Sequence, residues 1–271
     1  HIVQNITDPD IVPYIPDGIG NSTDRQRIPA VLIIPGGAFR RLVYNFEGED
    51  VAKWLNSMGI AAFVLECRLP SDEHDNAEDV PLIDAMRAMR VIRGRAQEFG
   101  IDEAKIGVMG FSAGGFMAAL LSTAYESDVY ADYKYKDEYD KLSARPDFAV
   151  CSYPVISIDD CIEAGKRYMS EEQVLERISD SKAKILHKYN PDKLVRPDMP
   201  PVFICETDDD RTTLSENSVG FYMAARKAGV SAELHIFRTG GHGYGCGDDF
   251  AQTGEWKVLF TKWIKSIGII S

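Results

Sequence analysis

AKIGVMGFSAGGFMAALLSTAY, residues 104–125, sets a strand and a helix on either side of one serine. AKIGVMGF (104–111) is an apolar run of strand length, and AGGFMAALLSTAY (113–125) is a run of small and aliphatic residues that continues as a helix. Ser112 stands at the junction. Gly110 and Gly114 lie two residues to either side, where larger side chains would crowd a sharp strand-to-helix turn. A serine on such a turn exposes its hydroxyl, and the helix N-terminus brings free N–H groups and positive dipole close to it. A lone G-x-S-x-G arises by chance in roughly one chain in ten of this size. Its meaning depends on the residues that accompany it.

Short apolar runs and helical periods alternate around this junction. AVLIIP (30–35) and IAAFVLEC (60–67) are continuous apolar runs suited to strands buried on both faces. Between them GEDVAKWLNSMG (48–59) reads as a helix, with acids in its first turn and Gly59 at its end. Leu82, Met86, Met89, Ile92, Ala96 and Phe99 recur every three or four residues in an amphipathic helix closed by Gly100. DFAVCSYPVI (147–156), PVFICE (201–206) and AELHIF (232–237) predict three further strands, with helices at roughly 216–228 and 255–268. The alternation predicts an α/β protein with a mostly parallel, twisted central sheet, helices on both faces, and a single domain over 1–271. The first thirty residues, rich in Pro, Asp and Gly, predict one or two antiparallel edge strands. The charged stretches 131–147 and 159–199 read either as solvated surface connections or as a partial lid.

A hydrophobic share of 45% and a charged share of 27% are those of a water-soluble globular chain. The net charge of −12 argues against nucleic acid or an anionic membrane surface as the main partner. The five cysteines, at 67, 151, 161, 205 and 246, are odd in number and form no CxxC pair. Cys67, Cys151 and Cys205 lie within or at the ends of strand-like runs, as small hydrophobes do. No run approaches membrane-span length and no signal peptide is visible. A reduced, cytoplasmic protein is the expectation, with processing or trimming left open because the chain begins at His1.

In a parallel sheet, functional groups gather beyond the carboxyl ends of the strands. A serine hydroxyl needs a base. Of the five histidines, His1 is terminal, His74 lies in an acidic loop, His187 in a charged helix and His235 inside a strand. His242 alone sits in a glycine-rich loop after a strand, RTGGHGYG (238–245), from which an imidazole can reach a neighbouring turn. An acid should orient it, and the loop after PVFICE offers Asp208, Asp209 and Asp210 in succession, with only one able to point at His242. An oxyanion would be met by the backbone N–H of Ala113 and by the loop after the first buried strand, IIPGGAFRRL (33–42), where Gly36 and Gly37 permit close backbone approach.

These features in the chain order Ser, Asp, His resemble the esterases of the α/β-hydrolase superfamily, in particular the acetyl-xylan-esterase and dienelactone-hydrolase-like (BD-FAE-like) group. The resemblance runs from about residue 8 to 268 and is carried by PGGAF (35–39), FEGEDVAKWL (46–55), PLIDAMRAMRVIR (81–93), IGVMGFSAGG (106–115), SYPVIS (152–157), DMPPVFICETDDD (198–210), SENSVGFYMAARKAGV (215–230) and GGHGYG (240–245). It implies the α/β-hydrolase fold and the triad Ser112, Asp210 and His242. Counting back from Glu216 places the group's Asp-Asp pair at Asp209 and Asp210, the second being the usual triad acid and Asp209 the alternative. The group's oxyanion loop, H/P-G-G-G, aligns its two donors with Gly37 and Ala38. Two departures stand out: Ala38 replaces a glycine, and Thr212-Thr213-Leu214 replaces Val-Val-Pro.

The implied activity is serine carboxylic ester hydrolysis through an acyl-enzyme, with an oxyanion hole of Gly37, Ala38 and Ala113. The implied substrates are small-molecule or oligosaccharide esters, typically acetyl groups on xylan-type carbohydrate. No metal or organic cofactor is called for, and the oligomeric state is open. Phe39, Tyr44, Phe111, Tyr153 and Tyr244 are candidates to stack on a sugar or simply to pack, and Arg40 and Arg41 either meet an acidic sugar or face solvent. Two alternatives share parts of the pattern. A prolyl-oligopeptidase-like serine peptidase has the same triad order but usually a large gating domain, and a non-catalytic α/β-hydrolase binding protein usually lacks a triad member.

Overall fold

The computed structural model describes residues 1–18, 27–72, 74–131, 133–167, 169–178, 181–247 and 252–271, with backbone alone at 161, 164, 175, 177, 178 and 181–183. Parts of the 131–147 and 159–199 stretches and the side chain of Cys161 therefore lie outside the described residues. The chain opens with β1 (Ile2–Val3), β2 (Asp10–Tyr14), β3 (Ile28–Ile34) and β4 (Leu42–Val43). A π-helical turn over Asn45–Glu49 leads into α1 (Asp50–Ser57), followed by β5 (Ala61–Glu66), α2 (Val80–Gly94), α3 (Ala96–Phe99), β6 (Ile101–Phe111) and α4 (Ala113–Ala124). The second half contains β7 (Ala149–Ser152), α5 (Ile158–Lys166), α6 (Glu171–Ile178), α7 (Ser181–Lys188), β8 (Val202–Thr207), α8 (Ser215–Lys227), β9 (Ala232–Phe237) and α9 (Glu255–Ser266).

Among the described residues seven strands form one sheet in the order β2-β5-β3-β6-β7-β8-β9. Every pairing is parallel except that of β2, which lies antiparallel on β5 at the edge. The apolar runs are continuous because both faces are covered. Ala30, Leu32 and Ile34 of β3 pack on one side with Leu82, Met86 and Met89 of α2 and Phe116 of α4. The alternate residues Val31 and Ile33 pack on the other side with Val51 and Leu55 of α1 and Trp256 and Phe260 of α9. At roughly 1.5–3 kcal/mol per buried large side chain, these two layers dominate the stability of the sheet. Among the described residues no helix is long and apolar enough to cross a membrane.

Three features of the fold refine the sequence reading. The helix expected over 48–59 begins earlier, in the wider π turn at Asn45–Glu49, which turns Glu47 inward. The helix expected over 82–100 breaks at Arg95 into α2 and α3. The N-terminal residues give one edge strand in the main sheet, β2, while β1 pairs with β4 in a separate two-stranded ribbon. The described part of 131–147 lies along α2. Arg87 pairs with Asp137 at 2.7 Å, Arg90 donates to Leu142 O at 3.1 Å and Arg93 to Arg145 O at 2.7 Å. Among the described residues, none of that stretch or of 159–199 lines the cleft at Ser112.

Candidate active site

Ser112 joins β6 to α4 with φ 54° and ψ −116°, a backbone conformation that non-glycine residues rarely adopt. The surroundings hold it there. Its N–H donates to Ser152 O at 3.0 Å, and its carbonyl accepts from Phe116 N at 3.0 Å and Val155 N at 3.3 Å. The two flanking glycines are a packing requirement. A Cβ on Gly110 would overlap the Gly114 carbonyl, and one on Gly114 would overlap the carbonyl of Ile34 in the adjacent strand. Strand end and helix start are therefore in backbone contact, which aims the serine side chain outward past the sheet.

The loop after β9 brings His242 to this turn. Its Nε2 is 2.9 Å from Ser112 Oγ, so the serine hydroxyl donates to it, while Nδ1–H faces Asp210 Oδ2 at 2.7 Å. The three successive aspartates have separate tasks. Asp210 is buried, and its Oδ1 accepts the N–H groups of Thr212 and Thr213 at 2.7 and 3.0 Å. Asp209 points the other way, and its Oδ1 accepts from Gly240 N at 2.9 Å and Gly241 N at 2.8 Å, clamping the loop that carries His242. Asp208 is engaged through its backbone, donating to Phe237 O at 2.8 Å. Of the Asp209 and Asp210 alternatives, the one in contact with His242 is Asp210. Thr213, at one of the positions that depart from the group's pattern, donates from Oγ1 to Asp210 Oδ2 at 2.9 Å and lies 3.3 Å from His242 Nδ1.

The loop after β3 completes the site. Gly37, Ala38 and Phe39 all have positive φ, at 136°, 59° and 61°. Among the described residues the Gly37 and Ala38 N–H groups have no hydrogen-bond acceptor, and Ala113 begins α4, where N–H groups have no intrahelical partner. All three residues line the cleft with Ser112 and His242. Beneath the loop, Glu47 is buried. Its Oε2 accepts from Gly36 N at 2.7 Å and its Oε1 from Tyr153 OH at 2.9 Å. Tyr153 OH in turn accepts from Gly245 N at 3.0 Å, and its ring meets His242 edge-on at 5.1 Å. The Glu47–Tyr153 pair thus ties the loop after β3 to the loop that carries His242. Sequence reasoning misses both roles, because Glu47 lies just ahead of the helix expected over 48–59 and Tyr153 is one of several aromatics.

Electrostatics divide the carboxyls near the site. Burial alone would raise Asp210, but the hydrogen bond and charge of His242, with the amides of Thr213 and Thr212, outweigh it and hold the group below its ordinary value. Glu206, fully buried at the end of β8, is pushed well up by burial and by the charge of Asp210. Burial raises Glu47 as well, and the hydrogen bonds from Tyr153 and Gly36 offset only part of that rise. Environment alone thus lowers one of these carboxyls and raises the other two.

The cleft at Ser112 has a volume of about 320 Å³ and is walled by Phe39, Val43, Phe46 and Val155 among others. Of the two readings of Phe39, Tyr44, Phe111, Tyr153 and Tyr244, stacking on a sugar or packing, the structure shows packing, since all five are buried. They pack because they follow buried strands or fill the space between loops. The exposed ring at the cleft is Phe46, which sequence reasoning passed over since it precedes a helix rather than following a strand. Among the described residues no group of three or more His, Cys, Asp or Glu is placed to hold a metal ion.

A parallel sheet wound on both sides, with a serine elbow after β6 and acid and histidine loops after β8 and β9, is the α/β-hydrolase fold. The chain belongs to the BD-FAE family, whose model matches residues 19–224 and so takes in Ser112 and Asp210. It is 31% identical over 240 residues to an acetylxylan esterase from Xylanibacter ruminicola, covering 88% of this chain and 45% of that protein. It is also 31% identical over 227 residues to endo-1,4-beta-xylanase B from Butyrivibrio fibrisolvens, covering 83% of this chain and 34% of that one. The chain thus spans less than half the length of either curated relative. Among solved structures, an acetyl ester-xyloside bifunctional hydrolase from Caldicellulosiruptor lactoaceticus superposes with a TM-score of 0.79 at 35% identity, over 100% of this chain and 97% of that one. The propionate-bound esterase Est2 from Thermogutta terrifontis, at 24% identity, shares the fold with a TM-score of 0.75 over 100% of this chain and 95% of that one.

Proposed function

We propose that this chain is a serine carboxylic ester hydrolase that removes acetyl or another short acyl group from a carbohydrate ester of the xylan-oligosaccharide type. One observation carries the reading: Ser112 Oγ, His242 Nε2 and Asp210 Oδ2 form a continuous relay with links of 2.9 and 2.7 Å that opens onto a cleft flanked by free N–H groups. In this reading His242 Nε2 takes the Ser112 proton as Oγ attacks the ester carbonyl. Asp210 keeps Nδ1 protonated and stabilises the imidazolium that forms. The Gly37, Ala38 and Ala113 N–H groups receive the oxyanion, in a hole built before substrate arrives. His242 then protonates the leaving alcohol, and a water that it activates releases the acid from the acyl-enzyme.

The names of the acetylxylan esterase and the acetyl ester-xyloside hydrolase support the carbohydrate acetyl substrate. The net charge of −12 supports a small-molecule or oligosaccharide partner rather than nucleic acid. The test is hydrolysis of 4-nitrophenyl acetate, butyrate and octanoate, followed by acetate release from acetylated xylo-oligosaccharides, for wild type and Ser112→Ala. Wild type should prefer acetate, and the variant should lose roughly 10⁴-fold or more in kcat. Equal rates for the two proteins on every ester would overturn the proposal.

A further inference from the structure

Arg41 is exposed and lines the cleft that holds Ser112 and His242. Among the described residues it has no hydrogen-bond, ion-pair or ring partner. Other arginines of this acidic chain are drawn to carboxylates: Arg68 to Asp84 at 2.6 Å, Arg87 to Asp137 at 2.7 Å and Arg196 to Asp198 at 2.6 Å. The adjacent Arg40 is engaged within the protein. The position of Arg41 is also fixed. A Cβ on Gly37 would overlap the Arg41 carbonyl, Arg40 N donates to Gly37 O at 3.2 Å, and the next two residues, Leu42 and Val43, are paired with β1. The turn that presents the Gly37 and Ala38 N–H groups therefore presents this side chain too.

No described group in the cleft neutralises it. The other titratable residues lining the cleft are His242 and Glu47, and Glu47 is buried with its oxygens occupied by Gly36 N and Tyr153 OH. A guanidinium is a planar fork of donors that matches a carboxylate in two parallel hydrogen bonds. We propose that Arg41 is a specificity residue that meets a carboxylate carried by the ester substrate. This inference rests on the ester-hydrolase reading of the site. The carboxylate belongs to one of two places: the alcohol, as a uronic acid unit of an oligosaccharide, or the acyl group, as the free end of a dicarboxylic hemiester.

The experiment compares wild type, Arg41→Gln and Arg41→Lys on substrate pairs that differ only in charge. One pair is an acetylated xylo-oligosaccharide bearing a glucuronic acid branch and its carboxyl-reduced counterpart. The other is 4-nitrophenyl hemiglutarate and 4-nitrophenyl valerate. The quantity read is the charged-to-neutral ratio of kcat/KM within each protein, which cancels any general loss. In the pair that matches the natural substrate, Arg41→Gln should lower this ratio by about tenfold or more, and Arg41→Lys should recover part of it. The wild-type preference should also shrink as salt is raised. The pair that responds locates the carboxylate, and an unchanged ratio in both pairs overturns the inference.

Failure of the ester-hydrolase reading looks different: wild type would then be no faster than Ser112→Ala on the neutral members. In that event, calorimetric affinity of the glucuronic acid oligosaccharide and its reduced form for Ser112→Ala, with and without Arg41→Gln, reads the charge recognition alone. Equal affinities for the two forms, or no effect of Arg41→Gln, would likewise overturn it.

Discussion

Among the described residues Glu47 makes no hydrogen bond to Ser112, His242 or Asp210, yet it holds together the two loops that flank them. Its two oxygens receive Gly36 N–H at 2.7 Å and Tyr153 O–H at 2.9 Å, and Tyr153 OH already accepts from Gly245 N at 3.0 Å. In Glu47→Gln the amide keeps one carbonyl oxygen, which serves Gly36, and places its NH₂ against the tyrosine oxygen. The Tyr153 hydroxyl proton is then left without an acceptor, at about 1–3 kcal/mol. Glu47→Ala strands both donors and leaves a cavity, so about 3–5 kcal/mol is expected. The activities should separate in the same order. Glutamine preserves the hold on Gly36 and most of kcat, whereas alanine frees the loop that presents Gly37 and Ala38 and lowers kcat by about 10²-fold, the scale of losing an oxyanion donor. Urea unfolding gives the stabilities, and 4-nitrophenyl acetate turnover gives kcat and KM. If Glu47→Ala stays within about 0.5 kcal/mol of wild type with an unaltered kcat, the bridging role assigned to Glu47 is wrong.

The two aspartates in dispute at the sequence level should part by orders of magnitude. Asp210→Asn should lower kcat by about 10³–10⁴-fold through loss of the correct His242 tautomer, while Asp209→Asn, whose oxygen still accepts from Gly240 and Gly241, should stay within about tenfold. Ala38 sits at φ 59°, where a side chain is strained, so Ala38→Gly should leave the melting temperature unchanged or raise it by a few degrees, against the usual loss for such a change. Glu206 retains its proton more strongly in the folded chain than in the unfolded one, so it makes stability fall as pH rises from the ordinary glutamate value through its raised folded value. Glu206→Gln should flatten that limb in urea titrations between pH 5 and 8. The acid-side loss from Asp210, whose folded value is depressed, should remain, since that stability is complete above the ordinary aspartate value and disappears as pH falls through the lower one.

What the sequence revealed and what it concealed follow from how far each constraint reaches along the chain. The strands are legible because a sheet covered on both sides requires apolar residues at every position, as in β3 and β5, and no partner need be known to see it. The serine elbow is legible for a related reason. The overlap that excludes a side chain at Gly110 involves Gly114, four residues on, so the requirement is written locally. The ribbon of β1 and β4, with two residues in each strand, is too short to have a period at all.

The hidden features are pairings between distant residues. Asp208, Asp209 and Asp210 are identical in composition and separated only by which loop each faces, more than thirty positions later for Gly240 or His242. Glu47 and Tyr153 are 106 residues apart, and neither an acid ahead of a helix nor a single aromatic ring points by itself to the other. Arg41 is visible in the sequence only as one of a pair, since what distinguishes it from Arg40 is the absence of a partner among the described residues, and only the fold shows which of two adjacent arginines is already engaged. Local sterics therefore single out Ser112 and the loops around it. The residues proposed to orient the site and select its substrate depend on contacts that the chain makes only after those loops have been brought together.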